Sequence, residues 1–446
     1  MNDIKFVGLH AHCGVGSPFD GFGFPADHMD YAFENGSNAL ALTDHGNMNG
    51  TSYQVLHAKK MKKAGKDFKP IYGVEAYFIP DVVEWRKTYE EHKADKKKAR
   101  ALSKEQSGTN IEAEGASKSK GTAINRSRHI VLLAMSQEGL NNIYKMVSES
   151  YTGDYFYRKP RIDYALLNKH SSGVICLSAC LGGIYAGCYW ANREEGTEAV
   201  LKAMRDTTER MVSVLGDRWY GELQWNNVPE QHELNNYVIQ MHKEFGIPLV
   251  STADSHYPTP EAWNDRELYK RLGWLGRGKP EWLDMNLPTS VQEMEYELYP
   301  KNGVQMWEAY KKYSKECGVE YDDDLVLESI ERTHQIAFDR IERFYPDDTV
   351  RLPDFVVPAG FTADNYLERI ATEGLFSLLK LNDNLSSSEE YKLRLDHELK
   401  VIADRGFSKY FLTMKAIADK TNEIQISGPG RGSAAGSLVA YALGIT

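Results

Sequence analysis

The sequence predicts an α/β fold: a distorted βα barrel followed by a mainly helical region. Three observations carry this expectation. Short β-rich runs recur through roughly the first 260 residues, each holding a polar side chain at or near one end; helix-like stretches separate them; and further on, helical spacing of apolar residues takes over. "IKFVGLH" leads to His10, "ALALTDH" to His45, and "IYGVEAYF" contains Glu75. "HIVLLA" starts at His129, "GVICLSAC" ends at Cys180, and "IPLVSTADSH" ends at His256. Between them, "PADHMDYAFENG" reads as a helix that Pro25 and Asp27 start and Gly36 stops. Such alternation indicates βα units around a parallel sheet, where chemistry sits on loops at the carboxyl ends of the strands.

Composition bounds the alternatives. At 446 residues, 42% hydrophobic and 26% charged, the chain is long enough for about two to three globular domains. No apolar run approaches a membrane span, and "MNDIKFVGLHAHC" lacks the basic start and apolar stretch of a signal peptide, so no membrane partner is expected. Five cysteines without a CxxC pair suit a reducing compartment, hence the cytoplasm. The net charge of −10 does not advertise nucleic-acid binding, although a local basic channel can act within an acidic protein. The cluster Lys59, Lys60, Lys62, Lys63, Lys66 and Lys69 reads as a solvated helix face. Residues 86–128, charged and then Ser/Gly/Ala-rich, read as a flexible surface insertion. The expected division is a barrel over 1–265, a helical connector over 266–390 with a helix starting near Ala363, and a last domain over 391–446.

"HAH" places His10 and His12 on one side of an extended segment, and "DSH" repeats that spacing with Asp254 and His256. A lone HxH is usually accidental; recurrence with His45, Glu75, His129 and Cys180 argues for a metal cluster. Imidazoles and carboxylates with one thiolate suit zinc, manganese or iron, and so many ligands point to two or three ions. Closely spaced ions activate a bridging hydroxide, so the expected nucleophile is that hydroxide and not a side chain, and the expected reaction is phosphoester hydrolysis.

"LHAHCGVGSPFDG", "ALTDHGNMNG", "YGVEAYF", "HIVLLA", "LSACLGG" and "STADSHY" together resemble the PHP (polymerase and histidinol phosphatase) domain, in particular the one opening bacterial C-family replicative polymerases, the DNA polymerase III alpha subunits. The resemblance implies a trinuclear metal site at His10, His12, Asp20, His45, Glu75, His129, Cys180, Asp254 and His256. The loop from His12 to Asp20 is one residue longer than the family's usual spacing. Members with the full set act as metal-dependent 3′→5′ exonucleases; in others the domain is a structural partner.

"GPGRGSAAG" offers unobstructed backbone N–H groups ahead of a helix, with Arg431 as a fixed cation. It lacks the GK[ST] ending of a P-loop, and no βαβ unit with a following acidic residue surrounds it. By itself it reads equally as a phosphate cradle or as a glycine-rich helix start packed on a neighbouring strand. The stretch "GFSKYFLTMKAIADK…ISGPGRGSAAGSLVAYALGIT" resembles the palm of the C-family polymerases, a nucleotidyltransferase-like domain of which this would be the first part. That resemblance gives Gly432 and Ser433, with Arg431, the triphosphate of the incoming dNTP. It further implies primer–template DNA as substrate and catalytic aspartates and magnesium for transfer. It also implies a second polypeptide carrying the remaining polymerase, and a sliding clamp bound through that remainder. Two other readings are a stand-alone PHP phosphatase and a metal-stabilised scaffold without turnover.

Overall fold

The computed structural model describes residues 4–107, 127–276, 296–349, 351–381, 388–425, 428 and 432–446. They form two compact units, Met1–Asp347 and Asp348–Thr446. The first contains strands β1 (Ala39–Leu42), β2 (Lys69–Phe78), β3 (Arg128–Ala134), β4 (Phe156–Tyr157), β5 (Lys159–Ile162), β6 (Val174–Leu177), β7 (Trp219–Gln224) and β8 (Leu249–Thr252). β1 pairs with the first half of β2, and the order continues β2-β3-β6-β7-β8. Parallel bridges from the amino-terminal segment, Gly8 to Leu40 and Ala11 to Ser255, join β1 to the end of β8 and close the ring. Helices such as α1 (Pro25–Glu34) and α2 (Thr51–Lys63) cover the outside.

The sheet is not wholly parallel, as the sequence suggested. β3 runs antiparallel to both β2 and β6, because the chain leaving β2 at Phe78 returns beside it at Arg128. His129 therefore lies at the opening of its strand, whereas His45 and Asp254 follow the ends of theirs. The reversal still brings it to the barrel end where the other strands finish.

Side chains alternate along each strand. Ala39 and Ala41, Ile71, Val131 and Leu133, Ile175 and Leu177, Tyr220 and Val250 fill the interior, joined by Ile336, Ala337 and Ile341. The opposite parity, including Tyr72, Val74, Ile130, Leu132, Val174 and Cys176, packs under the helices. Lys69 departs from the solvated face expected of its cluster. It is 3% exposed, and its Nζ donates to the Ala337 and Ile341 carbonyls at 2.5 Å each.

The first half of the 86–128 insertion is helical: α3 spans Val82–Ser107, rich in the Lys, Glu and Ala that favour helix without needing a core. Trp85 and Tyr89 on its first turns meet the Tyr157 ring at 5.0 and 5.1 Å. Residues 108–126 lie outside the described residues. The compact unit continues past 265 through helices Gly303–Glu316 and Asp323–Gln335, whose Met306, Tyr310, Val326 and Ile330 enter the main core. Within the expected helical connector, residues 277–295 lie outside the described residues, and 296–300 are not helical.

The second unit packs helices Ala363–Leu381, Ser388–Asp404 and Ser408–Ile424 with the short Leu438–Ala442 around Leu367, Ala371, Leu375, Leu395, Leu412 and Val439. Among its described residues there is no strand. Across the described residues of both units, no helix is long and apolar enough to cross a membrane.

Candidate metal centre

The inward parity that fills the lower barrel with apolar side chains continues upward into polar ones. Ile71 and Gly73 give way to Glu75, Ala39 and Ala41 to Thr43 and His45, Tyr220 to Glu222, and Val250 and Thr252 to Asp254. "HAH" is registered against "DSH" by two backbone bonds, His12 N–H to Ser255 O (2.7 Å) and Ser255 N–H to His10 O (3.1 Å). The two alternating pairs are thereby side by side.

Their donor atoms converge. Asp254 Oδ1 lies 3.2 Å from His10 Nε2 and 3.3 Å from His12 Nε2. Glu75 is central: Oε1 is 3.4 Å from His10 Nε2 and 3.1 Å from His129 Nδ1, and Oε2 is 3.4 Å from His12 Nε2 and 2.7 Å from His45 Nδ1. Asp20, across the longer loop, reaches His45 Nε2 at 3.2 Å. Three groupings have ligand atoms within 4.8 Å of one another: His12, His45 and His256; His10, His12 and Glu75; His45, Glu75 and His129. Cys180 stands in none of these three. Its Sγ accepts from Gly182 N–H at 3.4 Å, beside the Gly182 carbonyl that receives the His129 N–H. Burial, then Asp254 and Glu75, push its thiol well up, so it shares their field.

This geometry fits metal ions better than a hydrogen-bonded core. His10 Nε2, His12 Nε2, His45 Nδ1, Asp20 Oδ1, Glu75 Oε2 and Asp254 Oδ1 are all buried without a hydrogen-bond partner. Six orphaned buried polar atoms facing one centre would be costly unless something else satisfies them. Tetrahedral ligands on bonds of about 2.0–2.1 Å stand about 3.3–3.4 Å apart. Most of the separations above lie near that value.

The remaining ring atoms are held from behind. His10 Nδ1 is 2.8 Å from Glu222 Oε1, which also accepts from Thr252 Oγ1 (2.5 Å) and Gln224 Nε2 (3.1 Å). His12 Nδ1 meets Ser17 Oγ at 3.2 Å, and Ser17 passes its own proton to Asp44 at 2.9 Å. His256 Nδ1 meets the Asp254 carbonyl at 2.7 Å. Each contact puts the ring proton on Nδ1 and leaves Nε2 bare. Neither Glu222 nor the Ser17–Asp44 pair was singled out from the sequence. A carboxylate at inward parity in "WYGELQ" was the available signal.

Electrostatics follow the same grouping. Burial opposes charge on His10, yet Asp254, Glu222 and Glu75 hold its pKa well above the usual value. His45, also against burial, is raised to about 10 by Glu75 and Asp20. Burial would raise Glu75 and Asp254, but the surrounding imidazoles hold both low. At His256 burial wins and the value falls to about 3. Backbone strain collects here too: Ala179 and Asp254 are non-glycine residues with φ of 61° and 48°.

In the second unit, Arg431 lies outside the described residues. Gly432 (φ 78°) and Ser433 are exposed at the start of a tight turn, Ser433–Gly436. The helix that follows is already capped. Ser437 accepts from Ala440 N–H, and Glu398 accepts from Ser437 Oγ (2.8 Å) and Val439 N–H (3.1 Å). Any anion site thus belongs to the turn and not to the amino end of that helix.

Comparison with known proteins matches the two regions separately. Residues 8–226 match the PHP domain, and residues 365–446 match the bacterial DNA polymerase III alpha NTPase domain. Over nearly its whole length the chain is similar to bacterial DNA polymerase III alpha subunits. It is 33% identical to that of Aquifex aeolicus over 99% of this chain and 33% of the relative, and 32% identical to that of Borreliella burgdorferi over 99% and 32%. The Thermus aquaticus subunit is 29% identical over 99% of this chain and 36% of its own length. The chain thus spans about a third of the length of the curated relatives it matches. Among solved structures, an amidohydrolase from Chromobacterium violaceum covers 59% of this chain and 96% of its own at 14% identity, with a TM-score of 0.27. The barrel assignment rests on the topology described above.

Proposed function

We propose that the first unit is a metal-dependent phosphoesterase acting as a 3′→5′ exonuclease on DNA, and that the chain works as part of a cytoplasmic replicative polymerase. The observation that carries the reading is the set of orphaned imidazole and carboxylate atoms facing one centre. His10, His12, Asp20, His45, Glu75, His129, Cys180, Asp254 and His256 are assigned as ligands of two or three divalent ions, zinc, manganese or iron. Such ions supply Lewis acidity to a phosphoryl oxygen and activate water at neutral pH. Glu222 and the Ser17–Asp44 pair keep the Nδ1 protons of His10 and His12 in place, so both rings present bare Nε2 atoms. Glu75 and Asp254 stay ionised despite burial, which gives the site the negative field that cations need.

In the second unit, Arg431, Gly432 and Ser433 are assigned to the triphosphate of an incoming dNTP. Likeness to the alpha subunits supports this assignment, together with the open turn at Gly432 and Ser433. Primer–template DNA, magnesium-dependent transfer, the polypeptide carrying the rest of the polymerase and the sliding clamp belong to the same proposal.

The test uses the full chain on a primer–template labelled at the primer 5′ end, with manganese or zinc, a chelator control and His12→Ala. Stepwise shortening from the 3′ end, lost with chelator and with the substitution, is the expected result. No shortening by folded, metal-loaded protein would overturn the nuclease reading and leave the metals a structural role.

A further inference from the structure

Among the described residues, three non-glycine positions have positive φ: Ala179, Asp254 and Arg158. The first two belong to the metal centre. Arg158 does not, yet it sits beside it, as the single residue joining β4 to β5, at φ 60°. Glycine would occupy that tip with less strain, but the tip carries an arginine followed by a lysine.

The β4–β5 hairpin is built against the site. β5 pairs with the end of β2, Tyr77 opposite Arg161, and Tyr77 shares the parity of Glu75 two residues earlier. The Tyr77 ring stacks 6.1 Å from the His45 imidazole and meets that of His129 edge-on at 5.2 Å. Lys159 Nζ lies 4.1 Å from the centroid of the Tyr77 ring, the ring that stacks on His45. A side chain at Gly46, next to His45, would come within 2.8 Å of Pro160 and 3.0 Å of Tyr77. Tyr151 and Phe156 stack at 5.8 Å and 22°, 49% and 45% exposed. The hairpin root is fixed. Arg161 lies 3.6 Å over Trp85 and donates to the Tyr155 and Asp154 carbonyls, while Asp163 accepts from Val82 and Leu166 N–H.

We infer that this hairpin holds the single-stranded nucleic-acid end presented to the metal centre: Arg158 and Lys159 engage its phosphates, and the Tyr151–Phe156 stack receives a base. The inference rests on the nuclease reading for its direction. Exposed ring faces beside paired cations are what an unpaired strand needs, whereas a duplex keeps its base faces inside. The overall charge of −10 makes a local basic tip at the mouth matter more.

The experiment measures binding of a fluorescein-labelled oligodeoxythymidine by anisotropy across a salt series, using full-length chain stripped of metal so that nothing is cleaved. The variants are Arg158→Gly with Lys159→Gln, which relaxes the strained tip while removing both cations, and Phe156→Ala. Lys62→Gln with Lys63→Gln, on α2, is the charge-matched control. Expected are about tenfold weaker binding by the hairpin double variant, a salt slope shallower by about 1.4 for two lost phosphate contacts, and an unchanged control. Wild-type-like binding by the hairpin variants, an equal loss in the control, or no binding by the parent chain at low salt would each overturn the inference. Binding that depends on Arg158 and Lys159, without any primer shortening by the metal-loaded chain, would instead sink the nuclease reading and leave the hairpin as a strand-binding surface.

Discussion

Glu222→Gln is the substitution that most sharply separates a metal centre from a polar barrel core. Glu222 is 2% exposed, and its Oε1 sits 2.8 Å from His10 Nδ1. Glutamine keeps the volume and one acceptor oxygen, so Thr252 and Gln224 retain a partner. What it removes is the charge that fixes the His10 proton and raises the basicity of Nε2. Loss of such a carboxylate behind a ligating imidazole weakens metal binding about 10- to 100-fold, or about 1.4–2.7 kcal/mol. At saturating metal the same amount is lost from the stabilisation that binding confers. The metal-free variant should melt below the metal-free parent, since Glu222 is one of the carboxylates that keep buried His10 charged. The assay is competitive titration of zinc or manganese into stripped protein, with thermal melts of both forms. If metal affinity stays within twofold of the parent while His10→Ala abolishes it, Glu222 does not act through His10.

Three further outcomes are expected. Chelation should lower the melting temperature of the Met1–Asp347 unit and leave the transition of the Asp348–Thr446 unit in place, as read by calorimetry before and after metal is restored. Lys301, 5% exposed, is lowered to about 8 by burial, with Glu297 opposing. The unfolded chain therefore holds more protons between about pH 8 and the ordinary lysine value, and stability rises through that window. The stability difference between Lys301→Met and the parent should accordingly shrink by up to about 3 kcal/mol across it, measured by urea unfolding at pH 7.5 and 10. Gly374→Ala would set a Cβ 2.0 Å from the Ala442 carbonyl, so the second unit should lose about 1–3 kcal/mol, visible as a lower urea midpoint for its transition alone.

Much of the site could be read from the sequence because its residues sit at alternate positions on strand-like runs. "HAH" and "DSH" need only period two to face one way, and the bridge from Ala11 to Ser255 then aligns them. Glu222 was missed because the run Trp219–Gln224, although Gly216, Asp217, Asn226 and Asn227 flank it as turn residues, holds no histidine to mark it. Ser17 and Asp44 were missed for another reason: they act on ring atoms turned away from the centre, and no spacing rule connects residues 27 apart. Lys69 looked like one more lysine of a surface cluster. Its burial depends on the carbonyls of Ala337 and Ile341, some 270 residues away, which no local pattern announces.

The reversed β3 explains how one barrel carries both a fixed site and the 86–128 insertion. Because Phe78 pairs with Arg128, the chain between them leaves and re-enters at the same barrel end, the end that holds Glu75 and His129. A segment inserted there changes no strand register: β2 has already paired with β1 along Lys69–Tyr72, and β3 meets β6 through Val131–Ala134, away from the insertion point. The same arrangement sets α3 on the hairpin that borders the site, through Trp85 and Tyr89 against Tyr157 and Trp85 under Arg161. The segment that looked least functional in the sequence thus packs, through Tyr89, on the hairpin beside the candidate metal centre.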